Sequence, residues 1–386
     1  KRMIPNSNKD VAVITDQADL VELMTKLSDA PWVAVDTEFL RERNYYAQLC
    51  LIQVGTPDLA VCIDPIALSD LTPLRELLTN PAITKVFHAA FQDLEILLQA
   101  TGEVPSPVFD TQVAAALLGH ADQIGYARLV EAMLGVQLEK AHSRSDWSRR
   151  PLQPQELEYA ADDVRYLAAL YPQMRAELQQ LGRLQWLAPE FEALADPARY
   201  RTEPDDAWRR VKGWKRLKPA QQQVLAPLAA WRERTAMSSD RPRGWIVKDE
   251  ILLDLARRRP GDMQALQSIR GLPENLAKKH GDTFLGMIAE AKKRPAEPLA
   301  ELPDRLTPEQ EPLVDLLMAT LRICAAQADI SPGALATRKD LEQMIAGRSD
   351  IALLQGWRKQ AVGQRLKEVL DGELSLHVSD GALKLD

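Results

Sequence analysis

WVAVDTEFL, residues 32–40, decides how this chain is read. It begins as an apolar, β-rich run and then places two carboxylates one residue apart, Asp36 and Glu38. In an extended chain, positions i and i+2 point to the same face, so the two acids stand side by side. They repel, and burying both is costly without something positive between them. Taken alone, a D-x-E at a strand end is ordinary. A strand opening into solvent ahead of Arg41, Glu42 and Arg43 explains it. The rest of the sequence shifts that balance.

The run belongs to a series. Further β-rich segments stand at 48–55 (QLCLIQVG), 59–64 (LAVCID) and 83–88 (ITKVFH). The first three follow one another through short turns such as Gly55-Thr56-Pro57-Asp58, which predicts an antiparallel meander. Strands and helices then alternate, with helical spacing at 71–80, 91–102 and 111–120. A long helix is expected over 155–178, behind Pro154. The economical architecture is α/β, a mixed sheet flanked by helices.

At 386 residues the chain is too long for one core. A composition 46% apolar and 27% charged is that of a soluble globular protein, with no run long enough to span a bilayer. KRMIPNSNKD at the N-terminus lacks the apolar stretch of a signal peptide. Cys50, Cys62 and Cys324 are odd in number and form no C-x-x-C pair, which argues against a disulfide framework or a zinc site. A reducing cytoplasm fits. Beyond about residue 200 no strand pattern persists. Two helical stretches follow, separated by the proline-rich RPAEPLAELPDRL at 294–306. IVKDEILLDLARRRPGDMQAL (246–266) can be laid on ATRKDLEQMIAGRSDIALL (336–354), matching Ile251 with Leu341 and Asp262 with Asp350. That reads as a duplicated helical domain. The expected divisions are an α/β domain over 1–203, helical domains over 204–293 and 307–386, and a linker over 294–306.

The net charge of −7 does not advertise a polyanion partner, but AWRRVKGWKRLK (207–218) carries six basic residues, two tryptophans and no acid. Two readings stand: a surface for nucleic acid, or a solvated helix face with Trp208 and Trp214 in the core.

Two further acidic sites lie on elements able to converge with Asp36. Asp93, in FHAAFQDLEILL, sits in the first turns of a helix directly after a strand. Tyr159 and Asp163, in LEYAADDVRYL, are four apart on a helix and share a face, whereas Asp162 points elsewhere. Singly, each has a bland explanation: a charge suited to a helix N-terminus for Asp93, an ion pair with Arg165 or Arg144 for Asp163. Together they are four carboxylates and a phenol on three elements. Four acids gathered without cations repel one another, so convergence implies bound metal.

VDTEF, then HAAFQDL, then YAADD resemble the three ordered motifs of the DEDD 3′–5′ exonuclease superfamily, and SDWSRRPL (145–152) resembles its ribonuclease D branch. The paired helical units resemble HRDC domains, which also occur in RecQ-type helicases. The resemblance implies a ribonuclease H-like fold and two divalent ions, Mg²⁺ or Mn²⁺, held by Asp36, Glu38, Asp93 and Asp163. Such hard ions prefer oxygen ligands. It implies that Asp36 bridges the ions, and that Glu38 and Asp163 complete the site activating water. Tyr159 matches the tyrosine of the DEDDy subgroup; with an ordinary pKa near 10 it suits orienting the water better than abstracting its proton. The histidine subgroup needs His where Glu158 stands. His88 and Phe39 fall beside the metal site, where a ring stacked on the terminal base and a purely structural role are both open. Lys212, Trp214 and Arg216 are further candidates for RNA contact. Asp110 reads as a helix N-cap, and Ala89 departs from the Asn of many relatives. The resemblance implies digestion of structured RNA, chiefly transfer RNA precursors, from a free 3′ end to nucleoside 5′-monophosphates. No membrane or obligate protein partner is implied. Two rivals remain: a DNA exonuclease of the proofreading or repair kind, which shares the catalytic set, and an inactive RNA-binding module.

Overall fold

The computed structural model describes residues 11–138, 145–300 and 306–386, which fall into two compact units. One takes in the residues up to Leu40, Leu49–Tyr200 and those from Asp304 onward; the other takes in Arg41–Gln48 and Arg201–Pro303.

The first unit is built on a six-stranded sheet in the order β1-β4-β3-β2-β5-β6. Its strands are β1 (Ala12–Ile14), β2 (Trp32–Leu40), β3 (Gln48–Thr56), β4 (Leu59–Ile63), β5 (Thr84–Phe87) and β6 (Val108–Asp110). β3 and β4 pair antiparallel, while β1 with β4, β2 with β5, and β5 with β6 run parallel. The sheet is mixed, as expected. β2 continues through Asp36 and Glu38 to Leu40, so the acids lie within the strand and do not mark its fraying end. The strand period of two divides its apolar residues between the faces. Val33 and Val35 join the core formed with α1 (Gln17–Leu27), α2 (Thr72–Thr79) and α3 (Phe91–Thr101). Ala34 joins the opposite core, with α4 (Thr111–Ala116), α5 (Tyr126–Leu134) and α6 (Pro154–Gln180). Asp36 and Glu38 share the parity of Ala34 and so look toward α6; Thr37 looks toward α3.

The C-terminal helices extend the α4–α6 core. Leu317, Leu321 and Cys324 of helix Glu311–Ala328 are buried in one cluster with Phe109, Leu129 and Leu167. Ser331 N–H donates to the Ala116 carbonyl at 2.8 Å, and Trp186 stacks on Trp357 with ring centroids 5.2 Å apart. The absence of strands expected beyond residue 200 is corrected by a hairpin, β7 (Leu376–Ser379) with β8 (Ala382–Leu385). Asp380-Gly381 at its tip both hold positive φ, a turn chemistry that matches the twist of paired strands.

In the second unit, helices Pro219–Ser239, Asp249–Arg258 and Glu274–Lys292 enclose a core that contains Trp208, Trp214, Leu252 and Phe284. The 207–218 stretch alternates between fates. Ala207, Trp208, Val211, Trp214 and Leu217 are buried; Arg209, Arg210, Lys212, Lys215, Arg216 and Lys218 are exposed. Residues 41–48 belong to this unit: the Asp240 carboxylate accepts from the backbone N–H groups of Tyr45 and Tyr46 at 3.0 Å each. Nearby, Glu233 is fully buried and paired with Arg243 at 2.5 Å. The expected linker over 294–306 reaches into 301–305, outside the described residues, as do the N-terminal segment read as free of a signal and the Arg144 considered for Asp163.

Candidate active site

Three expected carboxylates meet at the end of β2. Oxygens of Asp36, Glu38 and Asp163 lie within 4.8 Å of one another, each side chain partly buried. The strand supplies two by its period of two, and α6 supplies the third as it crosses the face that they share. Asp93 approaches from the other side of the strand. It is 7% exposed, and its Oδ1 accepts a hydrogen bond from the Thr37 hydroxyl at 2.5 Å. Thr37, between the two acids in sequence, thus ties α3 to the same strand end. Nothing in the sequence marked that role beyond its parity, opposite to Asp36 and Glu38.

The electrostatics are those of a crowded anionic pocket. Burial, then the charge of Asp36, then those of Asp163 and Asp93, push Glu38 up to about 10. Burial and the neighbouring Asp162 and Asp93 raise Asp163 to about 8. Asp36 and Asp93 are held well above the usual carboxylate range, chiefly by burial and secondarily by Asp163 and Asp36 respectively. Among the described residues, the groups that shift these four carboxyls are burial, one another, Asp162, Asp110 and hydrogen bonds. The donor set is all oxygen, which fits hard divalent ions and would otherwise exist as protonated acids.

Tyr159 is partly buried on the Asp163 face of α6; burial and then Asp163 raise its phenol above its ordinary value. The 145–152 loop lies beneath it, with Trp147 at 6.2 Å between ring centroids. Arg150 pins that loop to the sheet, donating to Asp64 at 2.6 and 2.8 Å and to the Cys50 carbonyl at 2.6 Å. Asp162 faces away from the cluster and pairs with Arg165, which also binds Glu158 at 2.9 Å. From the third motif, then, only Tyr159 and Asp163 share the pocket. Asp110 caps α4, as expected, accepting from Gln112 N–H at 2.8 Å.

For two residues whose role the sequence left open, His88 and Trp214, the structure favours the structural alternative. His88 faces inward: its Nδ1 bonds Thr111 Oγ1 at 2.9 Å and its Nε2 bonds the Ile124 carbonyl at 3.1 Å. Its ring packs on Tyr126, 5.4 Å between centroids, and the Tyr126 hydroxyl donates to the Asp162 and Asp163 carbonyls. With both ring nitrogens engaged and Tyr126 against its ring, His88 serves the fold and supports the α6 backbone through Tyr126. Trp214 is 8% exposed and meets Trp208 edge to face at 4.6 Å, so it serves the helical core. Phe39 is partly buried beside Glu38, and Lys212 and Arg216 are exposed.

Among the described residues no helix is long and apolar enough to cross a membrane. Cys50, Cys62 and Cys324 are buried and form no disulfide.

Residues 11–179 match the 3′–5′ exonuclease family, and residues 221–288 match the HRDC domain. A protein named Ribonuclease D from Granulibacter bethesdensis is 40% identical over 384 residues, covering 97% of this chain and 96% of that protein. A Ribonuclease D from Sphingobium indicum is 40% identical over 382 residues, covering 97% and 98%. The crystal structure of Escherichia coli RNase D, described as an exoribonuclease involved in structured RNA processing, matches with a TM-score of 0.83 at 32% identity, over 94% of this chain and 99% of that one. A likeness that runs through the nuclease and the helical tail alike shows that the chain belongs to the ribonuclease D family.

Proposed function

We propose that this 3′–5′ exoribonuclease trims structured RNAs that end in a single-stranded 3′ tail, transfer RNA precursors among them, and releases nucleoside 5′-monophosphates. The carrying observation is the group of three carboxylates with oxygens within 4.8 Å, with Asp93 bonded to the residue between two of them. In this reading two divalent ions, Mg²⁺ or Mn²⁺, are held by Asp36, Glu38 and Asp163, with Asp93 at the second position. Such a pair neutralises charge on the phosphate and lowers the pKa of the attacking water.

The side chains then divide the work. Asp36, flanked by Glu38 and Asp163, is the central ligand. The Tyr159 phenol, its pKa raised by burial and the neighbouring acids, stays protonated. It donates a hydrogen bond that orients the water in line with the leaving oxygen, and takes no proton from it. Phe39 packs against the terminal base beside Glu38, and the exposed Lys212 and Arg216 meet RNA phosphates. Choice of RNA over DNA rests on contacts to the 2′-hydroxyl. A cytoplasmic setting agrees with three cysteines that form no disulfide, and the reading requires no obligate protein partner.

The reading is tested with a 3′-extended RNA and a matched DNA, incubated with Mg²⁺ or Mn²⁺, with and without chelator, using wild type, Asp36→Asn and Tyr159→Phe. Wild type should release mononucleotides from the RNA, stop under chelation, and lose activity at least about 10³-fold in Asp36→Asn. Tyr159→Phe, by loosening the position of the water, should lose about 10²-fold in kcat with KM unchanged. Internal cuts, or full activity in Asp36→Asn, would refute it, and preference for DNA would transfer it to the rival substrate.

A further inference from the structure

Asp110 does more than cap its own helix. Its carboxylate is 3% exposed and accepts from four backbone N–H groups: Gln112 at 2.8 Å and Val113 at 3.4 Å on α4, Ala89 at 3.0 Å and Ala90 at 2.9 Å on the loop entering α3. The parallel register explains the reach, because Phe87, where β5 ends, stands opposite Asp110, where β6 ends. The loop leaving β5 therefore passes directly over the carboxylate. That loop is bent sharply. Ala89 has φ 58°, a left-handed conformation that L side chains rarely adopt. The α3 N-cap, Ala90, has no side-chain cap of its own. Asp93 lies in the first turn of this helix, so the bend at Ala89 sets where its carboxylate emerges. From the other side Thr37 holds the same carboxylate at 2.5 Å.

We propose that Asp110 is a positioning residue for Asp93: by gripping Ala89 and Ala90 it locks the left-handed bend that aims Asp93 at the divalent-ion site. The proposal rests on reading Asp93 as a ligand, and the test separates the two. Asparagine suits the separation well. It is as good an N-cap as aspartate, so an oxygen in the Oδ1 place keeps α4 capped and still accepts from Ala89, while the amide N–H₂ in the Oδ2 place faces the Ala90 N–H and cannot accept from it.

The readout is Mn²⁺ binding by calorimetry, without substrate. Groups that orient a metal ligand typically change affinity 10–100-fold when altered. Asp110→Asn should weaken the second Mn²⁺ about ten-fold. Adding Ala89→Gly to it should recover part of that loss, because glycine holds the left-handed bend unaided. Ala89→Val leaves Asp110 and the α4 cap in place but cannot hold the bend, so it should weaken the same ion and keeps the test available if Asp110→Asn misfolds. Wild-type affinity in Asp110→Asn and Ala89→Val, with loss in Asp93→Asn, overturns the positioning role alone. Wild-type affinity in Asp93→Asn overturns the ligand assignment and the positioning role with it.

Discussion

Glu38 and Asp163 are acids that the fold makes weak. In the folded chain they hold protons up to about 10 and about 8, whereas an unfolded carboxylate releases its proton near 4. Between those limits the folded state binds more protons than the unfolded one. Their stability contribution is therefore full below the ordinary carboxylate range and is lost as pH rises through about 8 and then 10. In chelator, the melting temperature should fall as pH is raised from 6 to 9, and saturating Mg²⁺ should abolish that slope. A flat profile in chelator would show that the acids do not share a pocket. At this scale the sequence was informative where spacing is short-range: D-x-E on one strand and Y-x-x-x-D on one helix dictate shared faces. It was uninformative for His88 and Trp214, whose fates depend on Thr111, Ile124 and Trp208, which only the tertiary fold brings to them.

Helix α6 delivers Asp163 only because the sheet lets it approach. Gly55 of β3 lies so close that a Cβ there would stand 2.9 Å from Val164 Cβ and 3.0 Å from the Val164 carbonyl oxygen. Backbone cannot yield as a flexible side chain does, so Gly55→Ala should push the helix outward. The expected cost is about 1–3 kcal/mol of stability. Displacement of Tyr159 and Asp163 should lower kcat by about 10²-fold, with RNA affinity unchanged. Thermal melts and single-turnover rates check this; wild-type rates would mean that α6 is not held by that contact. From β2 to α3 the element order was legible, since apolar runs and helical spacing alternate there; β1, α1, β6 and α5 lie outside the segments that the sequence marked. The β7–β8 hairpin has a turn signature in Asp380-Gly381 but little else to mark it in the sequence, because its strands are short and Val378 and Leu383 remain exposed.

Over the whole molecule, the acidic total conceals a basic surface. Lys212, Lys215, Arg216 and Lys218 are exposed while their apolar neighbours fill the helical core, so the charges can be removed without disturbing packing. Replacing all four by alanine should weaken RNA binding at low salt. It should also reduce the salt dependence of log K by up to about 3, at about 0.7 per phosphate contact on single strands. Binding isotherms at several salt concentrations measure this, and an unaltered slope assigns the RNA surface elsewhere. The residue matches between 246–266 and 336–354 suggest a duplicated helical domain, and the HRDC match covers residues 221–288. That the C-terminal helices continue the nuclease core was not readable, because an amphipathic helix declares an apolar face and not the partner that covers it.

Anomalous diffraction from crystals soaked in Mn²⁺ bears most directly on the central claim. The account predicts two peaks about 3.5–4 Å apart, one among Asp36, Glu38 and Asp163 and the other between Asp36 and Asp93. Saturating Mn²⁺ that leaves this pocket without a peak would contradict it.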